Sequence, residues 1–92
     1  MVYVDELRRW PTTIRCFVSG SAHLTADTLA ELHAFAERIG LRREWFQTTR
    51  VPHYDLTDRR RNRAILAGAV FVPAKEQARR RIAARPVRVP TD

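Results

Sequence analysis

The stretch "VPHYDLT" places His53 and Asp55 one residue apart, on either side of Tyr54. In an extended chain, side chains alternate with a period of two, so the imidazole and the carboxylate of such a pair point to the same side. That placement permits two kinds of chemistry. A carboxylate beside an imidazole fixes its tautomer and stabilises its charged form, which makes His53 a base oriented by Asp55. Alternatively, both groups bind one divalent cation. The competing reading is a polar turn, in which Asp55 caps the chain ahead of Thr57 and His53 faces water. Two other histidines, His23 and His33, are acid, base or ligand candidates near neutral pH. Each also reads as an ordinary boundary residue, His33 at the edge of a helix stripe and His23 at a strand edge. Asp5 follows "VYV" and would stand at the carboxyl end of a strand, where it either joins a site or accepts only from nearby amides. Trp10-Pro11 either walls a pocket or plugs the edge of the sheet.

Anion-binding candidates lie just downstream. "DRRRNRA" puts Arg60 and Arg63 on a helix whose amino end follows Asp55. Free amides at that end attract anions, and guanidiniums reinforce them, so phosphate is the expected guest. A solvated arginine face is the alternative, and "ARRRIAAR" reads as a solvated face or a nonspecific nucleic-acid patch. The chain contains no glycine-rich phosphate loop, HExxH pair or GxSxG elbow, so those enzyme classes have no support.

The elements that must position these residues are short. "VYV" predicts a buried strand and residues 22–25 a second, with 14–18 as an alternative strand in the connection. "TADTLAELHAFAERIGL" predicts an amphipathic helix: Leu29, Leu32, Ala36 and Ile39 share a stripe with Phe35 at its edge, Thr28 and Glu31 form a capping box, and Gly40 ends it. "LRREWFQTT" predicts a further helical turn that lays Trp45 and Phe46 over the core. Thr57 predicts a helix over 58–67, with Ile65 and Leu66 packing inward and Gly68 ending it. "AVFV" reads as a buried strand, and Pro73 opens a last helix with Ala74, Ala78 and Ile82 on a thin apolar face. Strands alternating with helices predict a single small α/β domain over 1–85, with a short, mainly parallel sheet of about three strands flanked by about three helices. Residues 86–92 read as a flexible tail.

Ninety-two residues build one core. No apolar run approaches the roughly 18 residues that span a bilayer, and "MVYVD" has no signal-peptide pattern, so a cytoplasmic, non-membrane protein is expected. Cys16 is the sole cysteine, which excludes an internal disulfide and a cysteine metal cluster within one chain. The net charge of +7 is almost wholly arginine, with Lys75 the one lysine. Arginine suits phosphate through its planar fork, although a G- and C-rich coding sequence also favours it. A domain this small would gain stability by pairing through its final helix.

Four segments, "VYVDELRRWP", "SAHLTADTLAELHAFAERIGL", "HYDLT" and "RRRNRAILAGAV", resemble in order and spacing a small bacterial and phage family, domain of unknown function 4031. The resemblance covers roughly residues 2–82. It implies that Asp5, His23, His33, His53 and Asp55, accompanied by Trp10 and Tyr54, belong to one pocket, and it carries no activity. The chain departs from the family in a longer connection over 12–20 and in "QTTRVP".

Together these readings lead to an expected pocket at the carboxyl edge of the sheet that acts on a phosphate-bearing, nucleotide-like ligand. Catalysis is assigned to His53, Asp55 and His33, and ligand binding to Trp10, His23, Tyr54, Arg60 and Arg63. A divalent metal, if used for phosphoester hydrolysis, is assigned to Asp5, His23 and Asp55. The alternatives are capture of a nucleotide or similar anion without turnover, and a basic accessory protein for nucleic acid.

Overall fold

The computed structural model describes residues 1–8 and 20–84. Within them the order is β1 (Val2–Val4), β2 (Ala22–Ala26), α1 (Leu29–Arg38), a 3-10 turn (Arg43–Trp45), β3 (Phe46–Gln47), β4 (His53–Leu56), α2 (Asp58–Leu66), β5 (Val70–Phe71) and α3 (Ala74–Ala83). Trp10, the alternative strand at 14–18 and the tail at 86–92 lie outside the described residues.

Helix limits follow local chemistry. The Thr28 hydroxyl accepts from the Glu31 amide and the Thr57 hydroxyl accepts from the Arg60 amide, so both amino ends carry the expected caps. At the far end of α1, Gly40 takes φ 84° while the Leu41 amide bonds the Ala36 carbonyl, a left-handed exit that a side chain would oppose. The helical turn after Leu41 forms as expected, and Trp45 and Phe46 pack against the core from partly buried positions.

The sheet departs from expectation. It is mixed, with five strands among the described residues in the order β3-β4-β2-β1-β5, and only the β1–β5 pair is parallel. A mainly parallel sheet needs a crossover, usually helical, between neighbouring strands. Here β2 returns directly beside β1 in antiparallel register, Tyr3 opposite Thr25, and β4 pairs antiparallel on the other side of β2, His23 opposite Asp55. The two-residue strand β3 adds another antiparallel rung pair, Gln47 opposite His53.

Period-two alternation gives the sheet two unlike faces. Val4, Leu24, Tyr54 and Leu56 are buried on one face, beneath Leu32, Phe35 and Ala36 of α1, Ile39 just after it, and Ala64 of α2. Each large apolar side chain buried there contributes roughly 1.5–3 kcal/mol. Tyr3, Asp5, His23, Thr25, Gln47, His53 and Asp55 share the other face by register. Helix α3 covers part of it: buried Gln77 accepts from the Thr25 hydroxyl at 2.8 Å and donates to the Val72 carbonyl at 2.8 Å.

Several packing expectations are corrected. Leu29, at the first position of α1, is exposed, and the buried stripe of Leu32, Phe35, Ala36 and Ile39 is turned slightly toward Phe35. Ile65 is half exposed and Leu66 is 89% exposed, since α2 rests on the sheet through its small Ala64. Strand β5 is exposed at the edge, leaving Ala69 and Val72 as the buried members of "AVFV". Ile82 also faces outward, and Gln77 is the buried residue of α3.

Candidate metal centre

Asp5 leaves the sheet directly after β1 yet is only 3% exposed, so its carboxylate must find donors inside. It finds them on His23. One oxygen accepts from the His23 main-chain amide at 2.6 Å and the other from the His23 ring at Nδ1, 2.7 Å away. Because the carboxylate accepts, Nδ1 carries the proton and Nε2 of the neutral ring offers a lone pair. His53 is arranged in the same way by a different acceptor. Its Nδ1 donates to the Val51 carbonyl at 2.7 Å, two residues back in its own chain, and again Nε2 is left as the lone-pair atom.

Both Nε2 atoms face Asp55. The His53 atom lies 3.4 Å and the His23 atom 3.8 Å from Asp55 Oδ1, while Gln47 donates to Asp55 Oδ2. One atom from each of His23, His53 and Asp55 thus lies within 4.8 Å of the others. Atoms sharing one ion at roughly 2.0–2.2 Å are separated by roughly 3–4 Å, a range that both histidine-to-Asp55 distances meet. With both rings neutral, three acceptors would face one another, an arrangement that a proton on one ring or a metal ion relieves.

The electrostatics follow this geometry. The Asp55 carboxylate raises the pKa of His53 above its ordinary value; burial opposes the rise, and the Val51 carbonyl supports it. Reciprocally, the His53 ring holds the Asp55 carboxyl below its usual range, against burial and with help from Gln47. The rings of His23 and His53 meet edge to face at 5.0 Å, which fixes their mutual orientation.

An open cleft of about 600 Å³ lies over this cluster, between the sheet face, α3 and the loop before β4. Asp5, His23 and His53 line it, as do four cations: Arg8, Arg50, Lys75 and Arg81. Arg8 stands where Gly20 permits a close approach. The bridge between Arg8 and Ser21 runs so near Gly20 that a Cβ there would meet the Arg8 carbonyl oxygen at 2.6 Å. Arg50 holds a left-handed backbone, φ 59°, in the loop that presents the Val51 carbonyl to His53.

Of the residues proposed from sequence, Asp5, His23, His53 and Asp55 meet at this cluster, with Asp5 gripping His23 and His53 completing the set of facing atoms. His33 and Tyr54 do not join them. The sheet separates them from the cluster: His33 Nδ1 pairs with the Tyr54 hydroxyl at 2.8 Å and its ring packs edge-on against Phe46. Desolvation, with the Arg43 charge adding to it, lowers the His33 pKa. Arg60 lies over the Trp45 ring at 4.5 Å and Arg63 donates to the Ile39 carbonyl at the end of α1, so both serve the apolar side of the sheet. Arg61 likewise donates to the Asp5 main-chain carbonyl. Sequence reasoning missed Gln47 and the four cations of the cleft. Gln47 becomes visible only through the β3–β4 register, and the cations come from three separate segments, Lys75 and Arg81 from α3, Arg8 and Arg50 from elsewhere in the chain.

A mixed sheet with a His-His-Asp cluster on its polar face defines a small α/β domain with a candidate metal centre. The chain belongs to the family described as "Protein of unknown function (DUF4031)", which it matches over residues 2–84. No curated protein and no solved structure matches it.

Proposed function

We propose that the protein binds a divalent metal through His23 Nε2, His53 Nε2 and Asp55 Oδ1 and hydrolyses a phosphoester in the cleft above. The observation that carries this reading is the convergence of those three atoms while His23 Nδ1, His53 Nδ1 and Asp55 Oδ2 are each engaged by another group. Imidazole and carboxylate donors without thiolate suit zinc, manganese or iron(II). Three protein ligands leave positions for water and for a phosphate oxygen. The ion would polarise the phosphoryl group and lower the pKa of bound water. Bound there, the ion would supply a more acidic water as the nucleophile toward phosphorus, with the ester P–O bond breaking and the leaving oxygen taking its proton from solvent. Arg8, Arg50, Lys75 and Arg81 supply the charge that draws the anion in.

The test is calorimetric titration of tag-free protein with Mn²⁺ and Zn²⁺, followed by a phosphoesterase screen with the bound metal. One ion per chain is expected for the wild type, and loss of binding for folded His53→Ala and Asp55→Ala. Absence of stoichiometric binding in the wild type refutes the metal reading.

The same cations favour a second reading, in which the protein captures the phosphate-bearing ligand and a protonated His53 paired with Asp55 completes the site. Ligand fate separates the two: capture returns the ligand intact after prolonged incubation with excess metal-loaded protein, and hydrolysis does not.

A further inference from the structure

A second cavity, of about 350 Å³, opens beside the first, and Thr25, Val51, Gln77 and Arg81 line both. The two hollows therefore adjoin on the polar face of the sheet. The second has a different lining from the first. Tyr3 and Asp27 form one side of it and Arg80 and Arg81 of α3 the other. The Tyr3 hydroxyl donates to Asp27 at 2.9 Å.

Register fixes the distance between the two parts. Tyr3 lies opposite Thr25, and Asp5 approaches His23 across the same pair of strands. Tyr3 and His23 are therefore diagonal neighbours, roughly 7–8 Å apart in their backbones. That separation is about the width of one sugar ring. The chemistry of the two ends also differs in a complementary way. The cluster end gathers metal-ligand atoms and cations suited to a phosphoryl group. The far end offers an aromatic ring, two guanidiniums able to stack on a flat heterocycle, and a carboxylate able to accept from an amino group. Asp27 already accepts from Tyr3 and pairs with the Met1 amino group, and a carboxylate's approximately four lone-pair positions leave room for another donor. The volume of the second cavity is that of a site enclosing one small organic group.

We infer that the Tyr3–Asp27–Arg80 hollow is the base subsite for a single nucleotide whose phosphate lies at the His23–His53–Asp55 end. A base bearing an exocyclic amino group packs against Tyr3 and donates to Asp27, and its ribose passes along Val51 and Arg81, which line both hollows beside the buried Thr25–Gln77 pair. This inference rests on reading the cluster as a phosphate-handling site.

The test uses the full chain with EDTA present, so that metal-dependent turnover cannot interfere. Calorimetry compares 5′-AMP, ribose 5-phosphate and a four-residue single-stranded oligonucleotide. AMP should bind at least tenfold more tightly than ribose 5-phosphate. Arg80→Gln, on the exposed side of α3, should bring AMP down toward the ribose 5-phosphate level while changing affinity for ribose 5-phosphate far less. Tyr3→Val, which keeps a strand-favouring residue, should do the same, with circular dichroism confirming the fold. Equal wild-type affinities for AMP and ribose 5-phosphate would overturn the base subsite, as would undiminished AMP binding by both folded variants. An oligonucleotide bound more than tenfold tighter than AMP would replace the single nucleotide with a strand. A parallel Mn²⁺ titration keeps the two proposals apart: AMP preference without metal binding removes only the metal centre, and metal binding without AMP preference removes only the base subsite.

Discussion

Asp5 holds His23 by both ring and main chain, and this double grip gives a sharp test of the metal centre at the residue scale. In Asp5→Asn the remaining oxygen stays with the His23 amide, so the new amide nitrogen faces Nδ1. The ring then turns a lone pair on Nδ1 toward that nitrogen and moves its proton to Nε2, the atom needed for the ion. Calorimetry should show Mn²⁺ affinity reduced about 10- to 100-fold, with the fold retained. His33 allows a second residue-scale test, through pH. Its folded pKa is lowered from 6.5, so its contribution to stability is complete above pH 6.5 and is lost as the pH falls through the folded value. His53, whose pKa is raised from 6.5, has the opposite sense: its contribution is complete below that value and is lost as the pH rises through the folded one. Denaturant titrations of wild type and His33→Gln between pH 7.5 and 5 isolate the first effect. The wild type should lose more stability on acidification than the variant, and parallel curves would exclude this role for His33.

Elements differ in how openly the sequence declares them. Helices α1 and α2 are written locally, by Thr28 and Thr57 at their starts and by Gly40 and Gly68 after their ends. Thr57→Ala should therefore cost about 1 kcal/mol in chemical denaturation while leaving Mn²⁺ binding intact. Strand direction is not written locally. Nothing in "VYV" or "AHLTA" says which neighbour each will take, and the antiparallel pairing of β2 with both β1 and β4 results from long-range register. The inward placement expected for Ile65 and Leu66 fails for a related reason: periodicity marks a helix face, but the partner surface decides which part of that face is covered. Yet the shared side of His53 and Asp55 was legible, because alternation in a strand holds whatever the strand pairs with. The loop before β4 carries a left-handed, non-glycine residue, Arg50. A left-handed backbone costs an arginine roughly 1–2 kcal/mol, so Arg50→Gly should stabilise the fold by up to about 1 kcal/mol, after glycine's greater freedom in the unfolded chain is set against the relief. The same change should weaken phosphate binding, measured at low salt.

Across the whole molecule, the candidate centre draws on distant parts of the chain. Asp5 comes from the end of β1, His23 from β2, and His53 and Asp55 from β4, all brought to one face by two antiparallel pairings. This explains why sequence spacing exposed only the last two as a pair, and why the cations of the cleft remained hidden. Helix α3 completes the arrangement by covering part of that face through Gln77 and Thr25. No helix among the described residues is long and apolar enough to cross a membrane.

The central position of β2 means that a one-residue slip of β4 would turn His53 and Asp55 into the core and bring Tyr54 and Leu56 out. On the proposed metal reading, ion capture would require the correct strand register, so an added ion would report on folding. At a free concentration one hundred times its dissociation constant, a native-state ligand adds about 2.7 kcal/mol of stability. Mn²⁺ should accordingly raise the melting temperature of the wild type by many degrees and leave folded His53→Ala unmoved, so a thermal shift on this chain measures whether its threads have been laid in the right order.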